Sequence, residues 1–254
     1  VLLTAASALA LTAALVAGQT PAPQAPSSPP AESAWPDDKP FERFFQNTWH
    51  DLRTLPSMPT LIILGAGGAA AGALHQIDDD AARAAEEAGT SGNTKAGDVI
   101  GNGWFQGGAA VATYVVGRVT HNPRVTHTGS DLIRAQVLNA LITTTLKVAV
   151  DRERPSGSHY SFPSGHTSAT FASAAVLHNH FGWKVGAPAY AVASFVGWTR
   201  VRDGQHWVSD VVFGAAVGLA SGYTVTLGHR ARDWKVVPVK TSGGGAVFVV
   251  KEWQ

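Results

Sequence analysis

From Phe41 to Leu227 apolar residues recur at helical spacing, in segments broken by short polar or Gly/Pro-containing stretches, so the chain is constrained to bury itself as packed helices. Phe41, Phe44, Phe45, Trp49 and Leu52 form one amphipathic stripe that stops before Pro56. Further segments follow at about Thr60–Ile77, Gly103–Val119, Asp131–Val150, His166–Phe181, Gly186–Arg200 and His206–Leu227. The fold class is therefore all-α, a bundle of about six or seven helices. The acidic, Gly/Thr/Ser-containing stretch from Asp78 to Asp98 and the polar stretch from His121 to Thr128 read as surface connections. Val236–Lys240 and Ala246–Lys251 flank Ser242-Gly243-Gly244-Gly245 and suggest a short C-terminal β-hairpin.

None of the internal apolar runs reaches the roughly 18 uninterrupted apolar residues usual for a membrane span, and Ala, Gly, Val and Thr outweigh Leu and Ile, which favours a water-soluble bundle. The best candidate for a span is Val211–Leu227, uncharged over seventeen residues. Leu61-Ile62-Ile63-Leu64 before Gly65-Ala66-Gly67-Gly68-Ala69-Ala70 imitates a dinucleotide-binding turn. The acidic strand end that this motif needs some twenty residues on is missing, so these small residues read as a close helix-packing surface.

The domain organisation follows from composition. Residues 1–19 open on an uncharged Ala/Leu-rich run ending Val16-Ala17-Gly18, similar to the apolar core and cleavage site of a secretory signal peptide. Residues 20–40 hold seven of the chain's fourteen prolines and read as a disordered tether. The folded domain is expected over 41–230, with a β-rich tail over 231–254. An exported protein of the periplasm or cell envelope, with membrane association left open, fits this order. The absence of cysteine excludes disulfides and thiolate chemistry, and a net charge of +1 with scattered basic residues argues against nucleic acid as a partner.

Three clusters carry the chemistry. Pro163-Ser164-Gly165-His166 precedes a helical run, placing Ser164 at an N-cap where unpaired N–H groups can receive an anion, with Gly165 permitting close approach and His166 within reach. A capped helix with a surface histidine is the plain alternative. His206 and Asp210, four apart, share a helix face, so the carboxylate can fix one ring nitrogen and leave the other as a free lone pair. A helix-surface pair would look the same. Arg200, six residues before His206, can fold back over the same pocket. Lys147 closes an apolar helix, and Pro155 forces the chain to turn at Arg154, so the two cations can converge, although a lone lysine there could simply snorkel. His178 and His180, one residue apart in a helix, read as surface groups. All three clusters together supply the complementary parts of a phosphate site.

Lys147-x6-Arg154-Pro155, Pro163-Ser164-Gly165-His166 and Arg200-x5-His206-x3-Asp210 resemble, in order and spacing, the three signature motifs of the type 2 phosphatidic acid phosphatase (PAP2) and vanadium haloperoxidase superfamily. Thr199 stands where the third motif often has serine, which keeps the hydroxyl. The resemblance implies a PAP2-like bundle and a metal-independent phosphatase of the bacterial branch. By the same resemblance His206 is the nucleophile forming a phosphohistidine, Asp210 its orienting partner and His166 the acid and base. Lys147, Arg154, Arg200, Ser164 and the Gly165 N–H would bind the phosphate oxygens. No cofactor is implied beyond vanadate as a phosphate mimic. The expected partner is a phosphorylated small molecule or lipid, with Tyr160, Phe162 and Trp207 suited to an apolar tail. The competing readings are a vanadium-dependent haloperoxidase, which is generally much longer, and a non-catalytic exported oxyanion-binding protein.

Overall fold

The structure is a computed structural model that describes residues 43–89, 94–230, 234–241 and 244–251. The signal-like segment and the proline-rich tether expected over 1–40 lie outside these residues. In chain order the helices are α1 (Phe44–Thr54), α2 (Met58–Leu74), α3 (Asp78–Glu87), α4 (Thr94–Gly101), α5 (Gly103–Val119), α6 (Pro123–Val150), α7 (Gly165–Phe181), α8 (Trp183–Arg202) and α9 (Val208–Arg230). A short 3-10 turn, His75–Ile77, joins α2 to α3. Two strands, β1 (Trp234–Thr241) and β2 (Gly244–Lys251), pair antiparallel in the register Trp234↔Lys251 to Thr241↔Gly244.

Two stretches expected as surface connections are helical. Asp78, Asp79 and Asp80 occupy the first turn of α3, where their charge complements the helix dipole, and alanine fills most of the remaining turns. α6 starts at Pro123, because Asn122 caps it by accepting from the Val125 N–H at 3.2 Å and proline suits the first turn.

The core is built of small and medium side chains, among them Ala110, Leu132, Ala135, Leu138, Ala172, Val176 and Val225. Small residues let backbones approach closely. Gly214, Gly218 and Gly222, each four residues apart on one face of α9, lie against α7: a Cβ at Gly218 would come 2.2 Å from the Ser168 carbonyl oxygen, and one at Gly222 2.6 Å from the Ala175 Cβ. In α2 the Gly65–Ala70 stretch is helical, and a Cβ at Gly67 would meet the Ala216 Cβ at 2.2 Å, so this motif is a packing surface between α2 and α9.

Outside the core, large apolar side chains face outward on α2 (Met58, Leu61, Ile62), α5 (Trp104, Val115, Val119), α6 (Leu141, Val148) and α8 (Val192, Trp198). Met58–Glu87 and Val208–Thr226 are each long and apolar enough to cross a membrane. This surface departs from that of a water-soluble bundle, because the sequence's modest mean hydropathy averages polar groups turned inward with apolar groups turned outward. His178 and His180 are not the surface groups expected. His180 is buried, with Nε2 2.8 Å from Asp131 Oδ2, and Asp131 in turn pairs with Arg134, which also pairs with Asp51. His178 sits between the hydroxyls of Tyr190 and Tyr223, each 3.4 Å from Nδ1.

Candidate active site

The site forms where α6 ends, α7 begins and α8 turns into α9. α6 stops at Val150 because Asp151 adopts a left-handed conformation (φ 44°), and the loop after it folds back, with Ser161 N donating to Arg152 O at 2.8 Å. Ser164 is the N-cap residue of α7. After α8 the chain turns tightly at Gly204 (φ 62°), and the N–H groups of Gln205 and His206 both donate to the Arg200 carbonyl, at 3.0 and 3.2 Å. That turn brings His206 back over Arg200. The Ser164 N–H donates to the Asp210 carbonyl at 3.0 Å, so the start of α7 is fastened to the first turn of α9.

The eight residues singled out by the motifs therefore converge on one end of the bundle. His206 is buried, and its Nδ1 lies 3.7 Å from Asp210 Oδ2, longer than a hydrogen bond. Ser161 fills the gap, its Oγ 3.5 Å from His206 Nδ1 and hydrogen-bonded to Asp210 Oδ2. The Trp207 N–H also donates to Asp210 Oδ2 at 3.0 Å. With Nδ1 facing this carboxylate and hydroxyl, Nε2 is the nitrogen left for other chemistry.

The cations of the motifs lie at the same end of the bundle. Lys147 Nζ donates to the Tyr160 carbonyl at 2.6 Å, and a Cβ at Gly165 would be 3.7 Å from Lys147 Cε. Arg154 donates to Gln205 Oε1 at 2.8 Å. Arg200, only 3% exposed, donates to Asp98 Oδ1 at 2.8 Å and Asp203 Oδ2 at 2.9 Å. His166 Nε2 lies 3.2 Å from the same Asp98 oxygen. The Ser164 side chain is buried and bonds Thr167 Oγ1 at 2.9 Å, so Ser164 holds the cap position without its hydroxyl capping a backbone N–H.

Burial sets the proton affinities here. It pushes His206 down to about 4, opposed by Asp210 and assisted by the charges of Lys147 and Arg154. His166 is also lowered, by burial and then by the Arg200 guanidinium, with Asp98 opposing. Burial, with Arg154 beside it, lowers Lys147 to about 8, against the pull of Asp210. Both histidines are thus neutral at pH 7, inside a cluster of fixed positive charge.

Several residues at the site are outside the motif positions: Ser161, Arg152, Asp78, Asp98, Asp203 and Gln205. Asp98 and Asp203 hold Arg200 from α4 and from the α8–α9 turn, and Asp98 came from a stretch read as a connection. Aromatic side chains are near but partly engaged, Phe162 stacking on Phe213 at 4.8 Å between ring centres and Trp207 lying beneath Arg152. A cavity of about 490 Å3 opens beside the site, between α3 and the turn, lined in part by Arg83, Glu86, Pro155, Arg202, Asp203 and Trp207. Among the described residues no three His, Cys, Asp or Glu side chains gather as a metal-holding group.

A family model for the PAP2 superfamily matches residues 156–234, which take in the Ser164–His166 and Arg200–Asp210 motifs. Over these residues the chain is similar to the PAP2 superfamily. Over 97 residues it is 37% identical to a lipid A 1-phosphatase of Porphyromonas gingivalis, a match covering 37% of this chain and 22% of that protein. Over 76 residues it is 30% identical to a lipid A 4'-phosphatase of Helicobacter pylori, covering 30% of this chain and 38% of that one. The chain thus spans between a fifth and two fifths of the length of these relatives. In fold, the chain is similar to the crystal structure of a transmembrane PAP2-type phosphatidylglycerolphosphate phosphatase from Bacillus subtilis, with a TM-score of 0.54 and 22% identity over 66% of this chain and 92% of that one.

Proposed function

We propose that the chain is a membrane-associated phosphatase of lipid-linked phosphate, cleaving a phosphomonoester or diphosphate through a phosphohistidine on His206 and without a metal. The observation that carries this reading is that Lys147, Arg154, Arg200, Ser164 and His166 gather at the same end of the bundle as buried His206, whose Nδ1 faces Asp210 and Ser161. A neutral His206 has the lone pair an in-line attack on phosphorus requires. Its Nε2–P bond forms as the bond from phosphorus to the leaving oxygen breaks, and His166 gives that oxygen a proton. A phosphate dianion arriving beside His166 counteracts Arg200 and raises the histidine's proton affinity, which supplies the acid. In the second half, His166 takes a proton from water as the water attacks phosphorus, the P–N bond breaks, and inorganic phosphate leaves.

The three cations and the N–H groups opening α7 face the developing equatorial charge, which is the role divalent metals fill in other phosphoryl-transfer sites. Supporting a lipid substrate are the outward apolar side chains and the relatives, which are named for lipid A. The cavity beside the site offers room for a polar headgroup beyond the scissile phosphate. A setting in the cell envelope accords with the signal-like N-terminus.

Phosphate release should be measured with a panel of a lipid monophosphate, an isoprenyl diphosphate and a sugar phosphate, in chelator, with an acid- and base-quench comparison for an acid-labile phosphoprotein. Lipid phosphates are expected to be preferred, and His206→Ala should abolish both release and labelling. Turnover by His206→Ala at the normal rate would sink the phosphohistidine route, and loss of wild-type turnover in chelator would sink its metal independence.

A further inference from the structure

Arg152 lies two residues before the motif arginine, and it makes more polar contacts at this site than any motif cation described above. One of its terminal nitrogens donates to Asp210 Oδ1 and to Ser209 Oγ, both at 2.7 Å. The other donates to Asp78 Oδ2 at 2.8 Å and lies 3.1 Å from His75 Nδ1. Its guanidinium carbon is 5.2 Å from the centre of the Trp207 ring. Asp78, at the start of α3, is 2% exposed and also accepts from the Ser209 N–H at 3.0 Å and the Ser209 hydroxyl at 2.6 Å. Asp210 is fully buried.

Two buried carboxylates on different elements thus share one guanidinium. An unpaired buried charge is strongly unfavourable, so each carboxylate fixes the position of the arginine that the other needs. Asp210 has both oxygens committed, Oδ1 to Arg152 and Oδ2 to Ser161 and the Trp207 N–H. That fixes its plane, and Ser161, bonded to Asp210 and 3.5 Å from His206 Nδ1, carries the orientation on to the ring.

We infer that Arg152 and Asp78 are positioning residues that set the orientation and proton affinity of His206 through Asp210. The inference rests on the phosphatase reading for its kinetic consequence only. The charged and polar groups facing His206 are Asp210, Ser161, Lys147 and Arg154, with Arg152 acting on it across Asp210. Removing the Arg152 cation leaves Asp210 uncompensated and favours protonated His206. Removing the Asp78 charge frees more of the Arg152 cation for Asp210 and favours neutral His206. The two substitutions therefore shift His206 in opposite directions, which a merely structural bridge between α3 and α9 would not produce.

The test is an NMR titration of the histidine rings in the detergent-solubilised full chain, assigned with His206→Gln, alongside steady-state phosphate release. Arg152→Gln should raise the His206 midpoint by about one pH unit, and Asp78→Asn should lower it by a smaller amount. Arg152→Gln should also cut kcat about tenfold or more, as losses of an outer partner do, with KM changed less than about twofold. Arg152→Lys, which keeps the charge, should return the midpoint to its wild-type position while restoring kcat only in part, since one ammonium cannot span Asp78, Ser209 and Asp210. If Arg152→Gln fails to fold, the Lys and Asn variants carry the test. Unmoved midpoints in folded variants overturn the inference, as does a rise in KM with kcat intact, which would put Arg152 on the substrate. Opposite shifts in a chain that releases no phosphate would uphold the inference and discard the phosphatase reading instead.

Discussion

At the scale of single residues the site is a set of ionisation states arranged against their ordinary values. On the proposed route His206 attacks as the neutral ring, and burial lowers it to about 4, so activity should climb as pH rises through about 4. On the same proposal Lys147 holds phosphate as the charged ammonium, and it is lowered to about 8, so activity should fall as pH rises through about 8. A kcat/KM profile between pH 3 and 10 is expected to show a plateau between these limbs, and Lys147→Gln should remove the upper limb along with most of the activity. A second residue-scale prediction concerns Ser161, which bridges His206 and Asp210 across a gap too long for a direct bond. Ser161→Ala leaves that gap unbridged and is expected to lower kcat about tenfold, in line with about 1–3 kcal/mol for a lost buried hydrogen bond to a charged group. Unchanged kcat would mean that His206 and Asp210 close up directly. That the motif residues gather at one end of the bundle was legible from their spacings. Ser161, Asp98 and Asp203 were not, since a serine or aspartate in a loop carries no spacing signal, and only the folded chain brings Asp98 to Arg200.

At the scale of elements, the register between α7 and α9 decides whether the two histidines face one pocket. Asp210, Gly214, Gly218 and Gly222 repeat every four residues, so the face of α9 that carries the carboxylate is the face that presses on α7. Gly218→Ala would bring a methyl 2.2 Å from the Ser168 carbonyl oxygen, which forces the helices apart. It should cost about 1–3 kcal/mol in stability, seen as a lower melting midpoint, and should reduce activity without touching any charged group. Gly72→Ala, with nothing within 4 Å of the added carbon, is the matched control and should leave both unchanged or slightly raise the midpoint. The helical segments from α5 to α9 were readable from periodicity because each carries a long apolar repeat. α3 and α4 were not, since α3 is mostly acidic and alanine, and its one buried acid, Asp78, faces inward for a partner that sequence does not reveal.

At the scale of the molecule, the question is what covers the outward apolar side chains. Water would have to solvate Met58, Leu61 and Ile62 on α2, Trp104 (91% exposed) and Val119 on α5, and Trp198 on α8, spread around the bundle and not gathered in one patch that a single partner could cover. Inside, the charged network of Arg134, Asp51, Asp131 and His180 is buried and paired. Apolar outside with paired charge inside is the distribution a bilayer selects, since lipid tolerates neither exposed charge nor an unpaired one. The physical consequence is that the chain should stay in the membrane pellet through alkaline carbonate and enter solution only with detergent. Ala66 and Ala69 are exposed near the middle of α2 and share a face, so with lipid as the cover Ala66→Arg with Ala69→Arg sets two charges against it at about 2.5–3.5 kcal/mol each. That variant should lose most of its membrane retention, whereas the same pair changed to leucine should keep it. Release of the unmodified chain by carbonate alone would mean that another protein, and not lipid, covers this surface.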